Sequence, residues 1–292
     1  DSMSLTWGVV LAVLCGAVLH AGWNTLVKSS GDKEVDTALV HFVGALVAIP
    51  PLLLVGLPPA ATWPYIAASL TVHVAYYITL AGAYKHGELG MTYPIMRGSA
   101  PLLVAIGSSF VLGESLTPLA WMGVLAVTLG VALVGLAHPG EALHHRRALI
   151  YALANACVIA TYTFIDGSGV RVTAAAGHAV ASYVLLLFVL DGVPYPALVW
   201  WQRDRAGRRA IVAYARTRWP LAALGGAASL GSYLIALWAM TRAPVALVSA
   251  LRETSVLFAT AFSVWILKER FGLQRATGAV TIAGGVIALR FA

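Results

Sequence analysis

Long apolar stretches, separated by short polar or turn-forming segments, dominate the pattern of hydrophobic positions along this chain. A helix needs about 20 mostly apolar residues to cross a bilayer, and ten stretches come close to or exceed that length. Membrane-spanning strands have about 10 residues and alternate apolar with polar positions, so the long runs favour helices. The predicted spans are Leu5–Val27, Thr37–Val55, Trp63–Tyr84, Leu89–Leu112, Pro118–Leu136, Ala148–Ile165, His178–Trp200, Pro220–Met240, Pro244–Leu267 and Gln274–Leu289.

The fourth and fifth predicted spans recur later in the chain. Tyr93–Val134 contains YPIMRGSAPLL, VLGE and LAWMGVLAVTLGVALV, and Val248–Leu289 contains VSALRETSVLF, ILKE and TGAVTIAGGVIAL. A shift of 252 − 97 = 155 positions aligns the two copies. It superposes Arg97 on Arg252, Leu102 on Leu257, Ser108 on Ser263, Leu112 on Leu267, Glu114 on Glu269, Gly123 on Gly278 and Gly130 on Gly285. This internal similarity indicates that the chain contains two copies of one structural unit.

The repeat divides the chain into two units of five predicted helices, residues 1–137 and 148–292, joined by residues 138–147. Because five is odd, the second unit enters the membrane from the opposite side, which makes an inverted repeat. Two glycines in each copy recur at a seven-residue step and predict close helix contacts. The predicted fold is therefore an all-α integral membrane protein with ten transmembrane helices.

The composition agrees with a chain that lies in a lipid bilayer. Hydrophobic residues make up 60% of it, charged residues 11%, and the mean hydropathy is +0.83. Soluble domains carry about 25% charged residues, more than twice this share. The net charge of +7 does not indicate a nucleic-acid partner, because the basic residues flank the predicted spans.

The basic residues are distributed unequally between the two ends of the predicted spans. One side carries Lys28, Lys33, Lys85, Arg146, Arg147, Arg203, Arg205, Arg208, Arg209, Arg216, Arg218, Lys268, Arg270 and Arg275. The other side carries only Arg171, Arg242 and Arg290. The positive-inside rule places the richer side in the cytoplasm and therefore both termini outside.

Arg97 and Arg252 each lie well inside an apolar helix, where a charged side chain is costly and usually functional. One hypothesis is that the two guanidinium groups hold a substrate carboxylate or phosphate through charge-assisted hydrogen bonds. The alternative is that each binds carbonyl groups or an internal acid, such as Glu253, and fixes helix packing. Glu114 and Glu269 end their helices, where we expect them to bond neighbouring loops.

Further polar and aromatic side chains form stripes on several predicted helices. Such stripes predict an aromatic pocket with a few polar groups, although Tyr and Trp also anchor and pack membrane helices. Asp166 shares a face of the sixth predicted helix with Tyr162, but the pattern gives no reason to assign it a coupling role. The candidate substrate-binding residues beside the arginines are His20, Trp23, Asn24, His73, Tyr77, Tyr93, Tyr162, Tyr233 and Trp238.

Several kinds of chemistry have no matching motif. The chain contains no GxxxxGK[ST] loop for ATP, no HExxH and no paired-cysteine metal spacing. No two acidic residues converge by spacing near the membrane centre in the manner of an intramembrane hydrolase. We therefore expect no metal, no cofactor and no enzymatic activity.

The paired blocks, each an apolar helix ending in LGE or LKE and followed by a glycine-rich helix, resemble the EamA domains of the drug/metabolite transporter superfamily. The resemblance covers nearly the whole chain and implies a ten-helix carrier with a central cavity lined mainly by helices one, three, four, six, eight and nine. Members move amino acids, other metabolites, sugar phosphates, nucleotide sugars or drugs. Characterised members commonly have cytoplasmic termini, which differs from the charge distribution of this chain.

Together these patterns predict a secondary transporter of the bacterial inner membrane, the bacterial assignment being implied by the resemblance. The expected substrate is a small carboxylate-bearing metabolite, an amino acid or relative, exported by alternating access. One alternative is a carrier of phosphorylated metabolites, which would use the same two arginines. Another is a membrane enzyme or scaffold without transport activity.

Overall fold

The computed structural model describes residues 5–28, 31–86, 89–135, 146–266 and 272–292. These residues form α-helices and one short 3₁₀ turn, Ala60–Thr62, with no strand in the described ranges. The helices are α1 (Trp7–Lys28), α2 (Lys33–Val55), α3 (Trp63–His86), α4 (Leu89–Val111), α5 (Pro118–Gly135), α6 (Arg146–Ala175), α7 (Val180–Asp191), α8 (Pro194–Gln202), α9 (Arg205–Met240), α10 (Val245–Arg252), α11 (Ser255–Ile266) and α12 (Leu273–Arg290).

The predicted seventh span is two helices, α7 and α8. The chain turns at Gly192 and Val193, and Pro194 is the first residue of α8. Proline has no backbone N–H for the preceding turn and fits best at the start of a helix. Apolar residues resume directly after Asp191 and Gly192, so the sequence predicted a single span here.

The predicted ninth span is also two helices, α10 and α11, which meet at Glu253 and Thr254. The backbone N–H groups of Glu253 and Thr254 donate to the carbonyl groups of Ala250 and Leu251, three residues earlier, so the junction is a tight turn. No proline lies at this junction. The break falls directly after Arg252, which ends α10.

The basic segment before the predicted eighth span is helical and continuous with that span in α9. Asp204 caps this helix, because its carboxylate accepts a hydrogen bond of 2.7 Å from the backbone N–H of Gly207. This basic segment is therefore a helix and not a loop. On the same side of the bundle, Arg218 of α9 forms an ion pair of 3.0 Å with Asp36 of α2.

Within the described ranges, eight stretches are long and apolar enough to cross a membrane. They are Trp7–Val27, Lys33–Val55, Thr92–Val111, Pro118–Gly135, Arg146–Ala175, Val180–Gln202, Arg205–Met240 and Val245–Phe262. Helices α3 and α12 are not among them, so the count of ten spans is still a prediction. A multi-pass, all-helical membrane architecture is clear without it.

The repeated glycines bring α5 and α12 into close contact. A Cβ atom added to Gly123 would lie 3.0 Å from the carbonyl oxygen of Gly285, and one added to Gly130 would lie 2.8 Å from that of Gly278. The first glycine of one copy thus meets the second glycine of the other, so the two equivalent helices run antiparallel. Only residues without side chains allow backbones to approach this closely.

A second small-residue contact joins α2 to α9. A Cβ atom on Gly226 would lie 2.6 Å from the Cα atom of Gly44. The main hydrophobic core takes side chains from many helices, among them Val10, Val104 and Leu251.

Candidate functional site

A narrow cleft between α1, α9 and α10 lies at the centre of the bundle. Its walls are Val13, Gly16, Ala17, His20, Ser232, Ala236 and Arg252. In this conformation the cleft is too narrow to admit a water molecule. Arg252 is the charged residue of this wall, and His20 supplies an imidazole beside it.

Arg252 is held by an aromatic ring and not by an acid. Its guanidinium carbon lies 5.3 Å from the centre of the Tyr233 ring, a cation–π contact. No ion pair joins Arg252 to an acid of the described residues. Because its charge is not neutralised at contact distance, this guanidinium is available to an anion that enters the cleft.

Arg97 has a buried acidic partner. Its Nε atom lies 3.0 Å from Oε2 of Glu253, and the two side chains are 11% and 6% exposed. The Nε–H direction does not satisfy hydrogen-bond geometry, so the contact is an ion pair without a well-aligned hydrogen bond. Of the two hypotheses for the arginines, pairing with an internal acid therefore applies to Arg97.

Asp166 is the polar residue that sequence reasoning left aside. It is fully buried in α6. The Tyr183 hydroxyl donates a hydrogen bond of 2.8 Å to Oδ1, and the Tyr233 hydroxyl donates to Oδ2. Tyr233 thus connects Asp166 to Arg252. Its hydroxyl group donates to the carboxylate, and the guanidinium group lies over its ring. The sequence signal for Asp166 was the helix face that it shares with Tyr162. Its partners Tyr183 and Tyr233 lie on other helices, so the pattern did not reveal them.

His73 and Tyr162 extend this polar region towards α3. Their rings are stacked with centres 4.7 Å apart, and Nδ1 of His73 lies 2.8 Å from the carbonyl oxygen of Ser69. Asn155, also on α6, donates to Oγ1 of Thr79 at 2.8 Å and so ties α6 to α3. We call the following set the central cluster: His20, His73, Arg97, Tyr162, Asp166, Tyr233, Arg252 and Glu253.

Five of the sequence-predicted residues lie beside this cluster or away from it. Trp23 contacts the His20 ring edge-on at 5.5 Å, and the Asn24 amide donates to the carbonyl group of His20 within α1. Tyr93 packs against Met96 and other core side chains one turn from Arg97.

The other two contact side chains outside the central cluster. Tyr77 is stacked on Tyr195 at 5.0 Å, and its hydroxyl donates to Asp191 at 3.4 Å. Trp238 lies under the guanidinium group of Arg242 at 5.3 Å. Neither side chain contacts the cleft wall in this conformation.

Comparison with known proteins places the whole chain in one family. The model of the EamA-like transporter family matches residues 6–136 and again residues 146–291. The chain belongs to the EamA-like transporter family. A solved crystal structure, titled only as that of a protein, covers 96% of both chains at 20% identity with a TM-score of 0.70, which supports the fold. The search of curated proteins finds no match.

In this EamA-like transporter, an acid of the first family match anchors a helix of the second. Glu114 forms an ion pair of 2.7 Å with Arg171 and accepts a hydrogen bond of 2.9 Å from the backbone N–H of Val245, the first residue of α10. The carboxylate therefore caps the helix that ends in Arg252. The equivalent Glu269 lies outside the described residues.

Proposed function

We propose that this EamA-like transporter is a secondary carrier that exports a small carboxylate-bearing metabolite, an amino acid or a close relative, by alternating access. The observation that carries the proposal is Arg252, a guanidinium group at a helix break, facing the cleft without an acidic partner in the described residues. Discontinuous helices near the membrane midplane supply substrate sites in many secondary transporters.

The charge balance favours a carboxylate over a phosphate ester. Glu253 neutralises Arg97, so a single guanidinium is left for the ligand. One unpaired positive charge matches a monoanion, whereas a phosphate ester carries a charge of about −1.5 to −2 at neutral pH. A carrier of phosphorylated metabolites would need a second cation at the cleft wall.

Arg252 would bind the carboxylate, with His20 and Tyr233 beside it in the cleft. The remaining candidates, Trp23, Asn24, His73, Tyr77, Tyr93, Tyr162 and Trp238, would contact the substrate only after the cleft opens. Arg97 would act by holding Glu253 and with it the junction after α10. This division gives the two arginines different tasks, although the repeat makes them equivalent.

The proposal includes ten spans in two inverted five-helix units, residues 1–137 and 148–292, with residues 138–147 as the connection. The antiparallel contact of α5 with α12 supports the inversion. The charge distribution supports an orientation with both termini outside, and the bacterial inner membrane is what the family resemblance implies. An enzymatic reporter fused after Ala292 tests this, because activity in the cytoplasm would contradict it.

The experiment that tests the substrate class is transport in proteoliposomes made with the purified full chain. Radiolabelled amino acids should cross the membrane in exchange or down their gradients, and unlabelled amino acids should compete with them. Competition by phosphate esters but not by amino acids would favour the phosphorylated-metabolite alternative. No flux for a broad set of amino acids and anions would favour a membrane enzyme or scaffold.

A further inference from the structure

We propose that Asp166 is a proton-binding site whose occupation is linked to the binding of a carboxylate at Arg252. The inference rests on the anion site proposed above and adds a second ligand, the proton, to the same cluster. It begins with position: Asp166 is fully buried in α6, and one tyrosine ring separates it from Arg252.

The hydrogen bonds of Asp166 match an ionised carboxylate in the present, closed conformation. Each of its two oxygen atoms accepts a hydrogen bond from a different tyrosine hydroxyl, Tyr183 on one side and Tyr233 on the other. A protonated acid would itself act as a donor at one oxygen. Both tyrosines can accept as well as donate, so they can hold the acid in either state.

The charged and titratable groups around Asp166 and its tyrosine partners come from several helices. They are Tyr65 and His73 from α3, Arg97 from α4, Tyr162 from α6 itself, Tyr183 from α7, Tyr233 from α9, and Arg252 and Glu253 from α10 and its C-terminal cap. With both arginines and both acids ionised, the cluster carries 2 − 2 = 0 net charge.

The carboxylate of a bound ligand adds one negative charge beside Arg252 in a region with little solvent, and the ammonium group of an amino acid, which would lie farther from Arg252, offsets it only in part. Uncompensated charge is costly in such a place, and a proton on Asp166 restores neutrality. The other acid of the cluster, Glu253, is already paired with Arg97 at 3.0 Å. No ion pair joins Asp166 to a cation of the described residues, and its two oxygen atoms contact hydroxyl groups that can reorient. Asp166 is therefore the group that takes up the proton.

Binding linkage is reciprocal, so the proton must also strengthen binding of the anion. A carboxylate would then cross the membrane together with a proton, and the loaded cluster would stay neutral during the conformational change. Without the proton, the carrier would have to reorient with an unbalanced buried charge. Under this linkage an exported solute carries a proton outward, so the gradient of the solute, and not an inward proton gradient, would drive export.

Infrared difference spectroscopy on the detergent-purified full chain tests the inference directly. Acetate is the probe, because it has the carboxylate of an amino acid without the ammonium group, and acetamide is its neutral control. We expect a protonated-acid carbonyl band that titrates with pH in the wild type and is absent from Asp166→Asn. Acetate should raise the pH at the midpoint of this band's titration by about one unit, as one added negative charge would. Acetamide should leave that midpoint unchanged.

Two matched variants sharpen the result. Arg252→Gln should keep the band and lose the acetate shift, whereas Asp191→Asn, at a second partly buried acid that binds a tyrosine, should keep both. Equal spectra for the wild type and Asp166→Asn, or an acetate shift that survives in Asp166→Asn, would overturn the inference. If acetate moves the midpoint but no amino acid binds or crosses, the proposed substrate fails and the proton linkage stands.

Discussion

The segments around the two repeated arginines share a sequence pattern but have different structures. α4 runs without interruption through Arg97 in spite of two internal prolines, whereas its counterpart is broken directly after Arg252. The following residue is Gly98 in the first copy and Glu253 in the second, and Glu253 neutralises Arg97. One substitution between the copies therefore pairs the first arginine and leaves the second available to a ligand.

The broken segment also differs in its backbone hydrogen bonds. After Arg252 the N–H groups of Glu253 and Thr254 donate to the carbonyl groups of Ala250 and Leu251, three residues earlier. α4 continues as an α-helix through Arg97. The two arginines therefore lie in different local backbones, although the repeat aligns them.

Replacing Arg97 by alanine should have the largest effect on stability, because it leaves Glu253 buried without a partner. Loss of one member of a buried pair typically costs about 3–5 kcal/mol. We expect a clear drop in melting temperature of the detergent-purified protein, measured with and without lipid.

The double variant Arg97→Ala with Glu253→Gln separates the ion pair from other roles of Arg97. Because it removes both charges, it should recover part of the lost stability. The matched control is Arg252→Ala. Arg252 forms no ion pair with an acid of the described residues, so its removal strands no buried charge there. A melting temperature as low for Arg252→Ala as for Arg97→Ala would contradict the different roles assigned to the two arginines.

Replacing Arg252 by alanine should weaken substrate binding by about 100-fold, the loss of a charge-assisted contact of about 2–3 kcal/mol. Isothermal titration of the purified protein with a transported amino acid measures this directly. Arg242→Ala is the control, because that guanidinium contacts Trp238 near the end of α9 and not the cleft. Unchanged affinity in Arg252→Ala would remove this residue from the site.

Much of the fold was accessible from the sequence because its causes are local. Apolar length predicted the helices, and the repeated glycines predicted close helix contacts, of which the contact of α5 with α12 is one. The breaks after Asp191 and Arg252 were not predicted, since the apolar residues on both sides of each short polar stretch together have the length of one span. Two contacts of the site depend on helices that are far apart in the sequence: the ion pair of Arg97 with Glu253, and the hydrogen bonds of two tyrosines to Asp166. Residue spacing along the chain does not reveal such contacts.

Glu114 gives a smaller test of how the broken segment is held. Glu114→Gln should cost about 1–2 kcal/mol, because it weakens the ion pair with Arg171 and the cap on Val245. The control is Glu34→Gln, which removes an exposed ion pair with Arg203 and should cost less than about 1 kcal/mol. Melting temperatures of the two variants compare them, and equal losses would argue against a structural role for the Glu114 cap.

The smallest expected effect is at Gly98, the counterpart of Glu253 within the unbroken helix. Gly98→Ala should be neutral or stabilise by up to about 1 kcal/mol, because alanine favours helix and the added Cβ would lie 3.4 Å from the carbonyl oxygen of Thr128. The same change at Gly130 should destabilise by about 1–3 kcal/mol, since its Cβ would meet the carbonyl oxygen of Gly278 at 2.8 Å. Equal melting temperatures for the two variants would show that α4 is not packed as an ordinary continuous helix, and the contrast with α10–α11 would then lose its basis.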